Sequence, residues 1–202
     1  LHVGLITPHA AQRAAVRLAN ASHADLVALT GDFVGFGQRY LDRLTAIVAG
    51  FHAPVVAVLG NHDHWAGAAE VRRALERAGA LVLQNAWTEI RVAGVSLQVV
   101  GVDDAYTGHA DAAAAVKGLD ASRPALGLSH VGEEAESLWS AGVPLVLSGH
   151  THAGHVTWGG FNEHLLGGVL GHRFVHGLYG CRFSPRPRGA LYVSAGVGSA
   201  RI

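Results

Sequence analysis

Val143-Pro144-Leu145-Val146-Leu147-Ser148-Gly149-His150-Thr151-His152 is an apolar burst that stops at a glycine and then offers two imidazoles. Val143 to Leu147 reads as a buried strand. Beyond Gly149 the backbone is extended or looped, so His150 and His152, two positions apart, can point the same way. A strand that ends in paired imidazoles, with glycine leaving room around them, is a way to hold metal. The reading depends on whether other strands end in partners.

They do. Asp25 to Thr30 is a near-continuous apolar run, expected as a strand buried on both faces, and it ends in Gly31-Asp32. Pro54 to Leu59 reads the same way and ends in the loop Gly60-Asn61-His62-Asp63-His64-Trp65. Pro124 to Leu128 ends in Ser129-His130. Helices expected at Ala10–Ala21, Tyr40–Val48, Ala68–Ala78, Ala112–Leu119 and Glu133–Ser140 alternate with these strands. Leu1 to Ile6 is expected as a first strand and Leu81 to Leu83 as a short one. Trp87–Val92 and Val95–Val100 alternate about Ala93-Gly94 as an antiparallel hairpin, and Ala190 to Ser194 is a last strand. In an open α/β sheet, consecutive right-handed units bring such strand ends to one edge, where ligands bind. One carboxylate, one carboxamide and several imidazoles therefore converge.

Composition narrows the classes. Half of the 202 residues are apolar and 15% are charged, a globular balance rather than a disordered one. Fifteen basic residues offset fifteen acidic ones, which argues against a nucleic-acid groove built on bulk charge. A single cysteine, Cys181, excludes an internal disulfide and a multi-cysteine zinc site. Fourteen histidines are unusual, and histidine is the commonest metal ligand. No apolar run approaches the ~18 residues of a membrane span. There is no signal-peptide pattern, internal repeat or linker, so one domain over residues 1–202 is expected. The compartment stays open between cytoplasmic and exported or tethered through a segment outside this sequence.

A mixed oxygen and nitrogen donor set without thiolate suits Mn, Fe, Zn, Ni or Co. Five candidate ligands (Asp32, Asn61, His130, His150 and His152) exceed what one tetrahedral ion needs. A carboxylate can bridge, so two ions are the natural reading, as in many phosphate-ester hydrolases.

Here a resemblance becomes specific. Gly31-Asp32, Gly60-Asn61-His62-Asp63, Ser129-His130 and Gly149-His150-Thr151-His152 resemble, in order and context, the motifs of the calcineurin-like metallophosphoesterases. The likeness runs from Leu5 to about Ser194. It looks closest to the bacterial phosphodiesterase-like branch, through LTGDFV (Leu29–Val34), VLGNHDHW (Val58–Trp65) and LSGHTHAG (Leu147–Gly154). The resemblance implies an α/β four-layer sandwich of the metallophosphoesterase type, two sheets flanked by helices. It implies metal-dependent hydrolysis of a small-molecule phosphoester, more a diester than a monoester, by a hydroxide held between two divalent transition-metal ions. Asp32 would bridge both ions, with Asn61, His130 and His150 on one and His152 on the other. His62 would stabilise the transition state or protonate the leaving group, and Asp63 would orient His62.

One family motif is missing. The first strand should end in Asp-x-His, ligands that belong with His152, and Thr7 stands where the Asp is expected. Three readings remain open: residues absent between Thr7 and Pro8, a true deletion that cripples the His152 site, or substitution by His9. A non-catalytic metal-binding scaffold and a nuclease of the same superfamily are the alternatives; a nuclease predicts steep salt dependence.

The remaining polar residues have plainer readings. His64 either lines the site or packs beside Trp65. Asp103 and Asp104 can reach the cleft, but loop aspartates usually cap or turn. His155, His164, His172 and His176 are expected to wall the cleft, Cys181 to be an inert thiol, and Arg182, Arg186 and Arg188 to form a solvated loop.

Overall fold

A computed structural model describes residues 1–154, 171–180 and 189–198. His155, His164, Cys181, Arg182, Arg186 and Arg188 lie outside the described residues.

The first half of the chain builds a parallel three-stranded sheet. Its elements are α1 (His9–Ala21), β1 (Val27–Thr30), α2 (Leu41–Val48), β2 (Val55–Val58), α3 (Asn61–Arg77) and β3 (Leu81–Val82), with strand order β1-β2-β3. The second half builds a six-stranded mixed sheet. β4 (Ala86–Val92) and β5 (Val95–Gly101) form the expected hairpin, turning at Ala93 and Gly94 with φ of 48° and 82°. Positive φ at both central residues matches the twist of the flanking strands. β6 (Ala125–Leu128), β7 (Leu145–Ser148), β8 (Gly177–Tyr179) and β9 (Ala190–Val193) complete the order β4-β5-β6-β7-β9-β8. Short helices α4 (Ala112–Ala115) and α5 (Ala135–Ser140) precede β6 and β7.

Alternation along β2 explains the layering. Val55 and Ala57 face one apolar layer with Leu44 and Ile47 of α2 and Val71 and Leu75 of α3. Val56 and Val58 face the opposite way, into a layer shared with Leu83, Val99 and Leu128. That layer joins the two sheets. On the far side, Val100, Val146 and Leu191 pack with Ala115 and Leu138. The order is helix, sheet, sheet, helix, as expected. Among the described residues no helix is long and apolar enough to cross a membrane.

Several expectations need correction. Leu1–Ile6 is not a strand: only Val3 makes a bridge, parallel to Val34. Its backbone runs beside the loop after β1, with His2 N donating to Asp32 O at 2.8 Å and Val3 N to Phe33 O at 2.7 Å. β1 is half-buried rather than buried on both faces, because it is an edge strand. Asn61-His62-Asp63-His64 is not a loop but the first turn of α3, which breaks at Gly67 (φ 113°) before the amphipathic part. The Ala112–Leu119 helix shrinks to four residues, capped where Ala114 N donates to the Asp111 side chain.

Candidate metal centre

Asp32 follows β1, Asn61 opens α3 after β2, His130 follows β6, and His150 and His152 follow β7. All lie at the same edge of the sandwich. Asp32 is buried and sits between two groups of donors. Its Oδ1 is 3.4 Å from His130 Nε2, and its Oδ2 is 3.2 Å from His2 Nε2. On the first side Asn61 Oδ1 lies 3.1 Å from both His130 Nε2 and His150 Nδ1, which are themselves 3.1 Å apart. On the other side His2 Nε2 approaches His152 Nε2 at 2.9 Å. Among the described residues two sets meet metal-ligand spacing: Asp32, His130 and His150, and His2, Asp32 and His62.

Glycines let the strand ends close up. A Cβ on Gly60 would stand 2.5 Å from Asp32 Oδ1 and 2.6 Å from Asp32 N. One on Gly31 would stand 2.6 Å from His130 Nδ1. Real side chains do not tolerate such contacts. The candidate ligand residues also adopt left-handed backbone: φ is 47° at His2, 55° at Asp32, 68° at His150 and 49° at His152. That conformation is uncommon for residues with a side chain and gathers at functional sites.

The donor chemistry fits divalent metal. His130 Nδ1 is 2.6 Å from Thr30 O, so Nδ1–H donates and Nε2 keeps its lone pair toward Asp32 and Asn61. Burial alone would raise the Asp32 carboxyl. The facing imidazoles of His130 and His2 outweigh burial and hold it far below the usual carboxylate range. The backbone N–H of His62, in the first turn of α3, donates to Asp32 Oδ1 at 3.1 Å and adds to this. Burial lowers the His2 imidazole, and burial with the His130 charge pushes His150 down to about 3. Both are neutral, ligand-ready bases at physiological pH. Burial opposes charge on His130 too, but the Asp32 carboxylate reverses the balance and raises it.

All seven residues singled out from sequence sit here, with one change of contact. Asp63 does not hold the His62 ring. Its Oδ1 accepts from Phe33 N at 2.8 Å and Val34 N at 3.2 Å, and its Oδ2 from Gly60 N at 2.9 Å. The His62 ring is fixed by Gly35 O, 2.7 Å from Nδ1. Asp63 therefore ties the loop carrying Asp32 to the turn carrying Asn61. Burial and the Asp32 charge push its carboxyl up to about 6, against the pull of those N–H donors.

His2 was missed. The sequence places the expected Asp-x-His at Thr7, but the imidazole beside His152 and Asp32 belongs to His2. His9 is exposed in the first turn of α1 and takes no part. The usable signal was His2 itself, the histidine that stands ahead of α1. His64 turns away from Asp32: its Nε2 meets Asp103 Oδ1 at 2.8 Å, and its ring stacks on His109 at 4.0 Å. Asp104 Oδ2 accepts from Thr107 N and Oγ1, the turn role expected of a loop aspartate. His172 does wall the site, its ring 5.0 Å from that of His150.

Comparison with known proteins gives the family. The profile of the calcineurin-like phosphoesterase family matches residues 7–154. The chain belongs to that family. It is 30% identical over 172 residues to an uncharacterized metallophosphoesterase of Aquifex aeolicus (strain VF5), covering 80% of this chain and 63% of that one. It is also 30% identical over 207 residues to phosphodiesterase YaeI of Escherichia coli (strain K12), covering 98% of this chain and 73% of that one. The chain thus spans a little under two thirds of the Aquifex relative. Among solved structures, a 5'-nucleotidase precursor from Thermus thermophilus shares the fold, with a TM-score of 0.51 and 18% identity over 73% of this chain and 36% of that one.

Proposed function

We propose that this domain hydrolyses small-molecule phosphodiesters with two divalent transition-metal ions, of the Mn, Fe, Zn, Ni or Co class. Asp32, Asn61, His130 and His150 would hold one ion, and Asp32, His2 and His152 the other. The observation that carries the reading is the Asp32 carboxylate, ionised, with one oxygen toward each group of donors. When bound, the metals supply charge neutralisation at the phosphoryl oxygens and a hydroxide nucleophile at neutral pH.

The remaining work falls to the chain itself. A water-derived oxygen bonds to phosphorus as the ester P–O bond breaks, and the departing alkoxide needs a proton. His62 would give it: Gly35 O holds Nδ1, leaving Nε2 for the transfer. Preference for diesters is supported by the phosphodiesterase named among the relatives.

The test is turnover of bis(4-nitrophenyl) phosphate in Mn²⁺, before and after chelation, against 4-nitrophenyl phosphate. Faster diester cleavage that chelation removes is expected. Absence of turnover in any of these metals would overturn the reading, and faster monoester cleavage would overturn the diester preference.

A further inference from the structure

A groove of about 570 Å³ opens beside the metal centre, within the size range of small-molecule sites. Its walls are Leu5, Ile6, Phe36 and Tyr40, and its floor is Gly4 and Gly35. At its inner end stands His2, the residue shared with the Asp32 donors. Among the described residues lining it there is no carboxylate, lysine or arginine.

Three features mark this groove as built to be filled. First, Leu5, Ile6 and Phe36 are left exposed, at 86%, 42% and 65%, although the core of the same half is closed. Second, the floor glycines are not called for by backbone shape, since neither Gly4 nor Gly35 has positive φ. A Cβ on Gly35 would meet nothing within 4 Å, and one on Gly4 would come only to 3.9 Å from its neighbours. What the two glycines provide is space. Third, the groove is continuous with the reacting end. The Phe36 ring lies 5.5 Å from His62, and Gly35 O is the atom that fixes His62 Nδ1. An organic group leaving with a proton from His62 would lie along this floor.

We propose that the groove binds an unbranched apolar chain, alkyl or acyl, attached to the phosphoryl group of the substrate. This rests on the phosphoesterase reading above. Leu5 and Ile6 would close over the chain, and the glycine floor would let its methylenes lie against backbone. The preferred substrate class is therefore an amphiphilic phosphoester rather than a fully polar one.

Binding of ethyl-, butyl- and octylphosphonate to the Mn²⁺-loaded protein, by calorimetry below micelle-forming concentrations, tests this without requiring turnover. Octylphosphonate should bind at least about tenfold tighter than ethylphosphonate, against a ceiling of roughly fourfold per methylene fully buried. The exposed-site double variant Leu5→Ser with Ile6→Ser should flatten this slope, weakening octylphosphonate more than ethylphosphonate. Gly35→Leu, which fills the floor, should weaken octylphosphonate more than ethylphosphonate. Equal affinity across the three lengths, or a slope that survives both variants, would overturn the inference and leave the phosphoesterase reading standing. If no phosphonate binds and bis(4-nitrophenyl) phosphate is not cleaved, both fall.

Discussion

In the proposed mechanism the two nitrogens of His62 have different tasks, and this decides what its removal does. Nδ1 is engaged by Gly35 O at 2.7 Å, so the ring cannot turn. If His62 serves as proton donor rather than ligand, His62→Ala should lower kcat by roughly 10²- to 10⁴-fold with metal content nearly intact. Loss of metal in the same variant, measured by elemental analysis, would reassign His62 to the ligand set with His2 and Asp32. His130 makes a second residue-scale prediction. The Asp32 carboxylate raises its pKa, so near neutral pH a proton competes with metal for Nε2. Metal affinity should therefore weaken as pH falls, beginning above the ordinary imidazole value of about 6.5, with proton uptake by His130. His150 and His2, lowered by burial, should not add to this loss. A flat calorimetric profile across that fall in pH would contradict the assignment. Side chains at strand ends were legible in the sequence because metal chemistry selects residue types. The atoms that orient them were not. Thr30 O and Gly35 O are backbone carbonyls, which any residue would supply, and only the fold brings them to His130 and His62.

At the scale of elements, the centre depends on how closely the turn before α3 meets the loop after β1. Gly60 and Asp63 make that junction, one by lacking a Cβ and the other by accepting three backbone N–H groups. Gly60→Ala should cost about 1–3 kcal/mol in denaturant unfolding through overpacking. It should also weaken metal binding about 10- to 100-fold by displacing Asp32. Unchanged stability and affinity would mean that the junction gives way more easily than its contacts indicate. The elements themselves were largely readable: the buried strands and amphipathic helices stood out by their period. The exceptions have physical causes. Leu1–Ile6 has the apolar content of a strand, but the left-handed turn at His2 and the bonds to Asp32 O and Phe33 O bend it across the loop after β1. Asn61–His64 looked like a loop because its residues are polar and follow a glycine. They are nevertheless a helical first turn, where the free N–H of His62 finds the Asp32 carboxylate.

At the scale of the molecule, two sheets from the two halves of the chain share the layer of Val56, Val58, Leu83, Val99 and Leu128. That layer places the Asp32 and Asn61 ends of one sheet against the His130 and His150 ends of the other. Leu128 is fully buried within it. Leu128→Ala should cost about 2–5 kcal/mol, and the chain should still unfold in one transition. Two separated transitions in calorimetry would show that the halves fold independently. Sequence could predict four layers through the family resemblance and one edge through alternation of strands and helices. It could not place the turn at Leu1-His2, because that turn is held by contacts to residues some thirty positions away in the chain.

The central claim is that one carboxylate serves two metal groups. Metal content of Asp32→Ala, compared with the wild-type protein after loading with Mn²⁺, tests it most directly. Two ions per chain in the wild type and neither in the variant are predicted. Retention of one ion at full occupancy in Asp32→Ala would contradict a shared carboxylate and confine Asp32 to a single group.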